Sequence, residues 1–346
     1  MARALTTGGD GKAQLAERPP LSPQPGQVLV APQVVGLCGT DLELIDGLVD
    51  EAFVRYPLVL GHEWVGVAVS GSQGLSPGDL VAVEGIVPCW HCEQCRSGAT
   101  NLCETYDEVG FTRAGAAADD VLVPAGLVHR LPPGTSVEDV VMVEPASVVY
   151  HGLSRLPSRP GLQCLVVGDG TVALLAVQLL RLWGPGRLAL AGRRREQAGL
   201  ARAAGADEVI GEVPKQAFDL VVEAAGTNEG VLSALQAARR GGTVLLLGLP
   251  PHGSVASVPV DDLVNGDLLV RASFGYSSSA FSRTLGLIVA GRLKPGILVT
   301  HRYSLEQHEQ ALGLLREEDP GQARGKVVLR ISSGDGSETS RSSARV

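Results

Sequence analysis

Apolar positions are distributed differently in the two halves of the chain. As far as about residue 150 they form short runs, such as 27–31, 65–69 and 80–83, and clusters of Pro and Gly separate the runs. Ser76-Pro77-Gly78-Asp79 is one such cluster. Many short strands divided by turns of this kind predict a β-barrel or sandwich that is partly open.

The pattern changes near residue 160, where strand-like and helix-like segments begin to alternate. Buried-strand runs cover 162–168, 188–191, 219–223 and 243–247, and helical spacing covers 171–183, 194–205 and 230–240. Parallel strands need a crossover connection, which a helix provides. The alternation therefore predicts an α/β unit with a doubly wound parallel sheet.

The last part of the chain returns to mixed structure. Helices are predicted over 280–291 and 305–318, and a strand over 326–331. We expect these elements to rejoin the first unit, which gives a discontinuous domain of residues 1–152 and 291–331 around a second domain of residues 153–290. Residues 332–346 are rich in Ser, Gly and Arg and are expected to form a disordered tail.

Composition supports folded domains and excludes several functions. The 346 residues are 45% hydrophobic and 19% charged, which is too apolar for a disordered chain and long enough for about two domains. No apolar run approaches the roughly 18 residues that a membrane helix needs. A net charge of −8 argues against nucleic acid or an anionic membrane as the partner. Residues 1–17 lack the apolar core of a secretory signal, so we expect a cytoplasmic protein without disulfides.

Four of the six cysteines lie within fifteen positions. They have the spacing C-x2-C-x2-C-x7-C and are Cys89, Cys92, Cys95 and Cys103. Two-residue gaps let thiolates converge on one tetrahedral ion, and four protein ligands leave no open position. Disulfides and an iron–sulfur cluster are the alternatives. A reducing compartment disfavours the first, and nothing else in the sequence indicates electron transfer. The spacing therefore favours a structural zinc site.

A glycine-rich turn follows the first strand predicted for the parallel sheet. It reads Gly168-Asp169-Gly170-Thr171-Val172-Ala173, the G-x-G-x-x-A form of the dinucleotide fingerprint. The first glycine permits the tight turn, the second lets the backbone approach a pyrophosphate, and the helix N-terminus faces the phosphates. We expect Gly168, Gly170, Thr171 and Val172 to bind a dinucleotide, and the side chain of Asp169 to point away from it.

Three further segments carry residues with metal-ligand chemistry. Cys38 precedes Gly39, His62 and Glu63 are adjacent, and Glu144 precedes a proline. Taken singly, each has an ordinary structural explanation. A lone Cys is a small buried hydrophobe, a lone His is a satisfied polar group, and Glu-Pro can open a helix. These residues alone do not show that the segments meet.

Taken in order, the motifs resemble those of the medium-chain, zinc-dependent alcohol and polyol dehydrogenases. The match extends over about residues 20–331. It comprises Cys38-Gly39-Thr40-Asp41, Gly61-His62-Glu63, the four-cysteine segment, Glu144-Pro145 and the glycine turn. The resemblance implies a GroES-like, partly open barrel domain beside a Rossmann domain. It also implies hydride transfer between NAD(P) and a secondary alcohol or ketone.

The resemblance implies a second zinc ion, a catalytic one, held by Cys38 and His62. Its third ligand is Glu63 or Glu144, or each at a different stage of turnover. Thr40 matches the relay hydroxyl of the family. Glu43 occupies the position where some relatives carry a relay His, and it either performs that work or is a solvated surface charge.

The resemblance also bears on the cofactor. In the register set by the family's following helix, Gly192 takes the place of the acid that binds the adenosine ribose of NAD. Glycine there leaves room for a 2′-phosphate, and Arg193 and Arg194 can donate hydrogen bonds to it. The alternative is an exposed basic helix start. We therefore expect NADP to be favoured over NAD. Leu247 and Gly248 border the nicotinamide by resemblance, or else pack as ordinary strand-end residues.

The branch of the family that the motifs resemble favours a sugar, a polyol or an (amino)cyclitol as substrate. Trp64, Phe111 and Phe53 are candidate walls of its pocket. A primary-alcohol or aldehyde dehydrogenase is the alternative among enzymes, and a non-catalytic NADPH-binding sensor is a more remote one. The resemblance also implies a homodimer or homotetramer, for which residues 268–273 offer an edge strand.

Overall fold

The computed structural model of the protein describes residues 1–72, 74–157, 159–317 and 321–331. Its strands are β1 (Ala2–Thr7), β2 (Ala13–Arg18), β3 (Gln27–Leu37), β4 (Leu58–Val59), β5 (Glu63–Ala68), β6 (Leu80–Val83), β7 (Val121–Pro124), β8 (Val128–Arg130), β9 (Gln163–Val167), β10 (Arg187–Ala191), β11 (Glu208–Ile210), β12 (Phe218–Glu223), β13 (Ala238–Leu246), β14 (Leu269–Ala272), β15 (Val299–Ser304) and β16 (Lys326–Arg330). Its α-helices are α1 (Gly39–Ile45), α2 (Glu93–Arg96), α3 (Val137–Val140), α4 (Val143–Ser154), α5 (Thr171–Arg181), α6 (Ala198–Ala204), α7 (Asn228–Ala237), α8 (Val260–Gly266), α9 (Ser278–Val289) and α10 (His308–Arg316).

The first half of the chain forms the mainly β unit that the short apolar runs predict. Seven strands make one sheet in the order β15-β16-β3-β5-β6-β8, with β7 beside β3, and a smaller sheet has the order β2-β1-β4. Residues such as Leu5, Val35 and Trp64 are fully buried between these layers. The core therefore fixes how the strands are paired, because a shift of one residue would turn every inward side chain to the other face.

The end of the chain returns to this sheet. β16 pairs antiparallel with β3, and β15 pairs parallel with β16. A discontinuous first domain would have this arrangement. The boundaries expected from the sequence, at 152/153 and 290/291, stay a prediction.

The second unit is a sheet of six parallel strands in the order β11-β10-β9-β12-β13-β14. Leu165, Val221 and Val244 in its centre are fully buried, as expected for strands covered by helices on both faces. The strand order reverses at β9, which has β10 on one side and β12 on the other. Ligands of doubly wound sheets bind at such a point, beyond the carboxyl end of the strand. The glycine turn follows β9 directly.

The boundary between α7 and β13 differs from the sequence prediction. The helix predicted at 230–240 ends at Ala237, and β13 begins at Ala238. Arg239 and Arg240 are exposed and resemble the basic last turn of a helix. Pairing of Ala238 with Phe218 of β12 draws this segment into the sheet instead, so tertiary pairing overrides the local pattern.

Within the described ranges, no helix combines the length and the apolarity that spanning a bilayer requires. The tail predicted at 332–346 lies outside the described residues, as does residue 318 of the predicted helix 305–318.

Candidate active site

The four-cysteine segment folds into a small lobe. Ligand atoms of Cys89, Cys92, Cys95 and Cys103 lie within 4.8 Å of one another. The backbone directs the thiols inward, since the N–H of Cys92 donates to Cys89 Sγ at 3.3 Å and that of Cys95 donates to Cys92 Sγ at 3.4 Å. Four converging thiols fit a tetrahedral zinc ion closed to other ligands.

A second group of ligand atoms forms where three elements meet. Ligand atoms of Cys38, His62 and Glu63 lie within 4.8 Å of one another. One thiol, one imidazole and one carboxylate are a donor set suited to zinc, and three protein ligands leave a fourth position open. Of the two carboxylates considered as third ligand from the sequence, the structure brings Glu63 into this group and leaves Glu144 outside it.

Local structure orients Cys38 and His62. Cys38 caps α1, where its thiol accepts the N–H of Thr40 at 3.4 Å, and Asp41 accepts the N–H of Cys38 at 2.8 Å. The other Asp41 oxygen lies 3.6 Å from His62 Nδ1. A carboxylate on Nδ1 holds the imidazole so that Nε2 is available to a metal ion. Burial lowers the pKa of His62, but Asp41 and the Cys38 thiol outweigh it, and the net pKa lies well above the usual value.

Glu63 is held by a buried lysine that the sequence analysis did not single out. Lys326 Nζ lies 2.8 Å from Glu63 Oε1 and 2.5 Å from Oε2, and it donates to the Leu37 carbonyl at 3.2 Å. Both side chains are 2% exposed. Burial lowers the pKa of Lys326, but the Glu63 carboxylate outweighs this and raises it. The ammonium is therefore the resident counter-charge of Glu63.

Gly36 gives Glu63 its space. It pairs with Glu63 across β3 and β5, and a Cβ atom on Gly36 would lie 2.4 Å from Glu63 Oε2. Any other residue at position 36 would displace the carboxylate.

Further polar groups lie buried around the same centre. Burial and the neighbouring Glu63 raise the pKa of Glu144 to about 8. Burial raises the pKa of Glu108 to about 7. The hydroxyl of Tyr276, which is 1% exposed, accepts the N–H of Gly85 at 2.9 Å and interacts electrostatically with both carboxyl groups. The site therefore holds carboxyl groups that are protonated more readily than usual.

The two proton-relay candidates both lie on α1. Thr40 Oγ1 is 3.5 Å from the Cys38 thiol, next to the metal-ligand group. Glu43 is half-buried, and burial raises its pKa. A raised pKa is the direction that suits a carboxylate for proton transfer near neutral pH.

The glycine turn leaves room for a dinucleotide. Gly168 has φ +119°, and a Cβ there would lie 2.8 Å from the backbone of Ala224, so only glycine fits. At Gly170, the N-cap of α5, no atom lies within 4 Å of the point where a Cβ would stand. Open space at a helix N-terminus fits a pyrophosphate. Thr171 Oγ1 instead donates to the Gly325 carbonyl at 3.2 Å.

The basic residues after β10 are arranged differently from one another. Arg193 is exposed. Arg194 turns back to the glycine turn, where Nη2 donates to Asp169 Oδ1 at 2.6 Å and Nε donates to the same oxygen at 3.0 Å. Asp169 thus points toward this arginine. The room that Gly192 leaves is occupied by the Asp169 side chain.

The remaining candidates divide between wall and core. Leu247 and Gly248 follow β13 at the same edge of the sheet as the glycine turn, and a Cβ on Gly248 would lie 2.3 Å from the Gly226 nitrogen. Phe111 lies with its ring 5.0 Å from that of His62, whereas Phe53 is 39% exposed and contacts Tyr106 and Phe274. Trp64 is 1% exposed and belongs to the core, not to a pocket wall.

Sequence reasoning missed Lys326, Gly36, Glu108 and Tyr276. Only Lys326 carries a usable signal, because this lysine directly precedes the apolar residues 327–329 of the predicted strand. A buried lysine requires a partner, but the sequence does not say which.

Comparison with known proteins agrees with this architecture. Residues 24–133 match the family model of the alcohol dehydrogenase GroES-like domain, and residues 171–290 match that of the zinc-binding dehydrogenases. D-arabinitol dehydrogenase 1 of Uromyces fabae is 30% identical over 304 residues, which cover 83% of this chain and 86% of that protein. The chain belongs to the medium-chain zinc-dependent dehydrogenases.

Other members of the medium-chain dehydrogenases support the same assignment. Sorbitol dehydrogenase of Arabidopsis thaliana is 30% identical over 331 residues, covering 89% of this chain and 88% of that protein. A Sinorhizobium meliloti 1021 protein, described as a zinc-binding dehydrogenase and bound to NADP, has a TM-score of 0.87 and 27% identity, covering 95% of this chain and 99% of that one. The family, the fold class and the oxidoreductase activity expected from the sequence are confirmed.

Proposed function

We propose that this dehydrogenase transfers a hydride between NADP and a secondary alcohol of a polyhydroxylated substrate: a sugar, a polyol or an aminocyclitol. The observation that carries the proposal is the convergence of Cys38, His62 and Glu63 within 4.8 Å, beside the Thr40 hydroxyl. When bound there, zinc supplies Lewis acidity that lowers the pKa of an alcohol oxygen. Two zinc ions per chain are proposed, since the four-thiol lobe fits a second.

The chain's own residues manage the proton. Thr40 Oγ1 is the proposed first carrier, and the Glu43 carboxyl, whose pKa burial raises, is the proposed next one. Glu144, with a pKa of about 8, holds a proton near neutral pH and can donate a hydrogen bond to a substrate hydroxyl. Asp41 keeps the His62 ring in place, as the 3.6 Å separation of Oδ1 and Nδ1 indicates.

Two observations support a polyhydroxylated substrate. The relatives include D-arabinitol and sorbitol dehydrogenases. The buried carboxyl groups of Glu108 and Glu144 near His62 offer hydrogen-bonding atoms beyond those that the single oxygen of a simple alcohol could satisfy, although Glu108 already accepts the Tyr106 hydroxyl. Unpaired buried polar groups weaken binding of a ligand that lacks the matching hydroxyls.

The preference for NADP over NAD is supported by the residues after β10. No acid follows this strand at position 192, and exposed Arg193 offers a cation for a 2′-phosphate. The related structure from Sinorhizobium meliloti 1021 is bound to NADP.

Compartment and assembly complete the proposal. The six cysteines are free thiols, which suits a reducing cytoplasm. β14 is the last strand of the parallel sheet, and Leu269 and Val270 on it are 46% and 38% exposed. An apolar edge strand favours pairing with a second copy, so we propose a homodimer or homotetramer.

The proposal is tested by measuring NADPH absorbance with zinc-loaded protein and a panel of hexoses, pentitols, cyclitols and short aliphatic alcohols. We expect turnover of polyhydroxylated substrates at least about tenfold faster than of aliphatic alcohols, because missing hydroxyls leave buried groups unpaired. The reverse order would favour a simple alcohol dehydrogenase. No turnover with any substrate, while NADPH still binds, would favour a sensor.

Cys38→Ser provides the matched test of the metal centre. We expect loss of turnover with the NADPH dissociation constant changed less than about threefold, since a thiolate ligand is lost while the glycine turn is intact. Metal analysis should fall from two zinc ions to one. Loss of NADPH binding in a folded variant would contradict this assignment.

A further inference from the structure

The carboxylate of Asp169 lies directly over Gly192, at the end of β10. A Cβ atom on Gly192 would lie 2.7 Å from Asp169 Cβ and 2.8 Å from Oδ2. Such distances are too short for real atoms, so any side chain at position 192 would force Asp169 to move. The space that a residue at 192 would fill is therefore taken by an acid from the glycine turn.

In a sheet of this topology, position 192 lies where the adenosine ribose of a bound dinucleotide is recognised. The strand after the glycine turn ends, in NAD-binding sheets, with an acid that binds the adenosine ribose. Here glycine directly follows the strand, and Asp169, which lies 23 residues earlier in the chain, brings a carboxylate to the same place. A carboxylate therefore lies at this corner of the fold, although position 192 itself carries none.

Arg194 neutralises this carboxylate. Its Nε and Nη2 donate to Asp169 Oδ1 at 3.0 and 2.6 Å, and its backbone N–H donates to Oδ2 at 3.0 Å. The side chains of Arg194 and Asp169 are only 14% and 13% exposed. Gln197 also stabilises the glycine turn, since its Nε2 donates to the Asp169 carbonyl at 2.8 Å. The pair is largely buried and is held by several contacts, unlike a surface ion pair.

We propose that the Asp169–Arg194 pair determines selectivity at the 2′ position of the adenosine ribose, which rests on the proposed use of a nicotinamide dinucleotide. Asp169 supplies the carboxylate that accepts ribose hydroxyls. Arg194 cancels its charge, so that a 2′-phosphate is not repelled. Arg194 is thus a positioning residue that acts on the phosphate through Asp169, and exposed Arg193 is the direct cationic partner.

This assignment differs in a measurable way from direct binding of the phosphate by Arg194. If Arg194 acts through Asp169, its removal matters only while the carboxylate is present. If it binds the phosphate itself, its removal matters in either background. A double-mutant cycle separates the two cases, because it measures the coupling between the two positions.

The experiment uses zinc-loaded protein and measures dissociation constants for NADPH and NADH by the fluorescence of the bound reduced nicotinamide. Four proteins are compared: the native chain, Asp169→Asn, Arg194→Gln and the double variant. We expect Arg194→Gln to weaken NADPH by about tenfold or more, since like charges placed together are costly, and to change NADH by less than about threefold. We expect Asp169→Asn to weaken NADH and not NADPH. In the Asp169→Asn background, Arg194→Gln should change NADPH binding by less than about twofold.

Two further variants serve as controls. Arg194→Lys keeps the counter-charge without the forked geometry, and it should restore most of the NADPH affinity that Arg194→Gln loses. Arg195→Gln removes the same charge from an exposed neighbour and should change the NADPH-to-NADH ratio by less than about twofold. Thermal unfolding of every variant shows whether the turn is still folded.

The results that overturn the inference are distinct from those that overturn the function. Equal NADPH losses in both Asp169 backgrounds would mean that Arg194 binds the phosphate directly, and an unchanged NADPH-to-NADH ratio in every variant would mean that the pair has no selective role. A native chain that prefers NADH would refute only the proposed NADP preference. Absent turnover with intact binding would refute the proposed enzyme and leave the pair's role standing.

Discussion

Individual side chains in the metal-ligand group are held by opposite charge inside the protein. Lys326 and Glu63 are both 2% exposed and in contact, so neither charge is compensated by water. Removing one partner of a buried ion pair is far more costly than removing an exposed charge. The ammonium also competes with any metal ion for the same carboxylate.

Lys326→Met should therefore destabilise the metal-free protein by about 3–5 kcal/mol, because Glu63 becomes a buried charge without a partner. Added zinc should restore part of this, since the ion replaces the lost counter-charge. Urea unfolding with and without zinc measures both effects. Lys294→Met, at an exposed lysine, should change stability by less than about 0.5 kcal/mol. Equal stability of Lys326→Met and native metal-free protein would show that the ammonium is dispensable.

At the scale of single residues, the sequence indicates which residues are candidate ligands but not which side chains contact them. Cys38, His62 and Glu63 were predicted as ligands, and the structure brings them together. The partner of Glu63 comes from β16, which pairs with β3 only in the folded sheet. No local pattern encodes a contact between residues 263 positions apart.

At the scale of single elements, the stability of the four-thiol lobe depends on a bound ligand. The four-thiol lobe contains one short α-helix, α2, of four residues, and a single 3-10 turn at Thr100–Leu102. Such a helix cannot form alone, and the lobe has few apolar residues to bury. Its fold must come from the thiols and what they bind.

Cys95→Ser should unfold this lobe, because a structural zinc site contributes its binding energy to folding. We expect the variant to lose one zinc ion and to become sensitive to proteolysis between residues 89 and 103. Cys38→Ser is the matched control, since it should lose the other ion and leave the lobe resistant. A protease-resistant lobe in zinc-free Cys95→Ser would contradict a structural role.

His151 on α4 provides a pH-dependent contribution to stability. Burial, followed by repulsion from Arg155 and Arg271, lowers the pKa of His151 to about 4. The unfolded chain, with a pKa near 6.5, binds a proton first as the pH falls. The contribution is therefore complete above about pH 6.5 and is lost between 6.5 and 4.

His151→Gln should remove this dependence, because the amide carries no proton in that range. We expect the stability difference between native protein and variant to be constant above pH 6.5 and to move against the native protein by about 1–2 kcal/mol toward pH 4, with allowance for partial exposure. Urea midpoints at several pH values provide the measurement. Parallel curves for the two proteins would refute the assignment.

The elements themselves were well predicted where apolar runs are long. Strands β9, β10 and β12 follow the predicted runs closely, because strands buried on both faces leave a continuous apolar signature. No run predicts β11, whose three residues are only half-buried. β13 begins at Ala238, earlier than the predicted run at 243–247, since Arg239 and Arg240 resemble the basic last turn of a helix. Pairing, not propensity, decided that boundary.

At the scale of the whole molecule, the thiol lobe is one of several places where the two units meet. Asn101 Nδ2 donates to the Phe274 carbonyl at 2.7 Å, and Ser278 N–H donates to Thr100 Oγ1 at 2.8 Å. The lobe therefore contacts the segment that follows β14. Sequence periodicity predicts the two units but not this junction. The residue pattern of the lobe carries no information about the segment after β14, and the reverse also holds.

Asn101→Ala should weaken the junction. Leaving the Phe274 carbonyl without its donor should cost about 1–3 kcal/mol of stability, whereas Ser97→Ala, at an exposed residue of the same lobe, should cost less than about 0.5 kcal/mol. Urea unfolding of both variants measures the difference. Similar small effects would show that this contact contributes little to the junction between the two units.

Gly36 has a consequence for how freely this gene could vary. A Cβ atom at position 36 would lie 2.4 Å from Glu63 Oε2. Even alanine would therefore collide with this candidate ligand, which the ion pair with Lys326 already holds in place. A saturation library at codon 36, selected for turnover, should return glycine almost alone, while a library at Gly39, where a Cβ meets no atom within 4 Å, should return many residues. The absence of a side chain at position 36 thus leaves the Glu63 carboxylate in its place within the metal-ligand group.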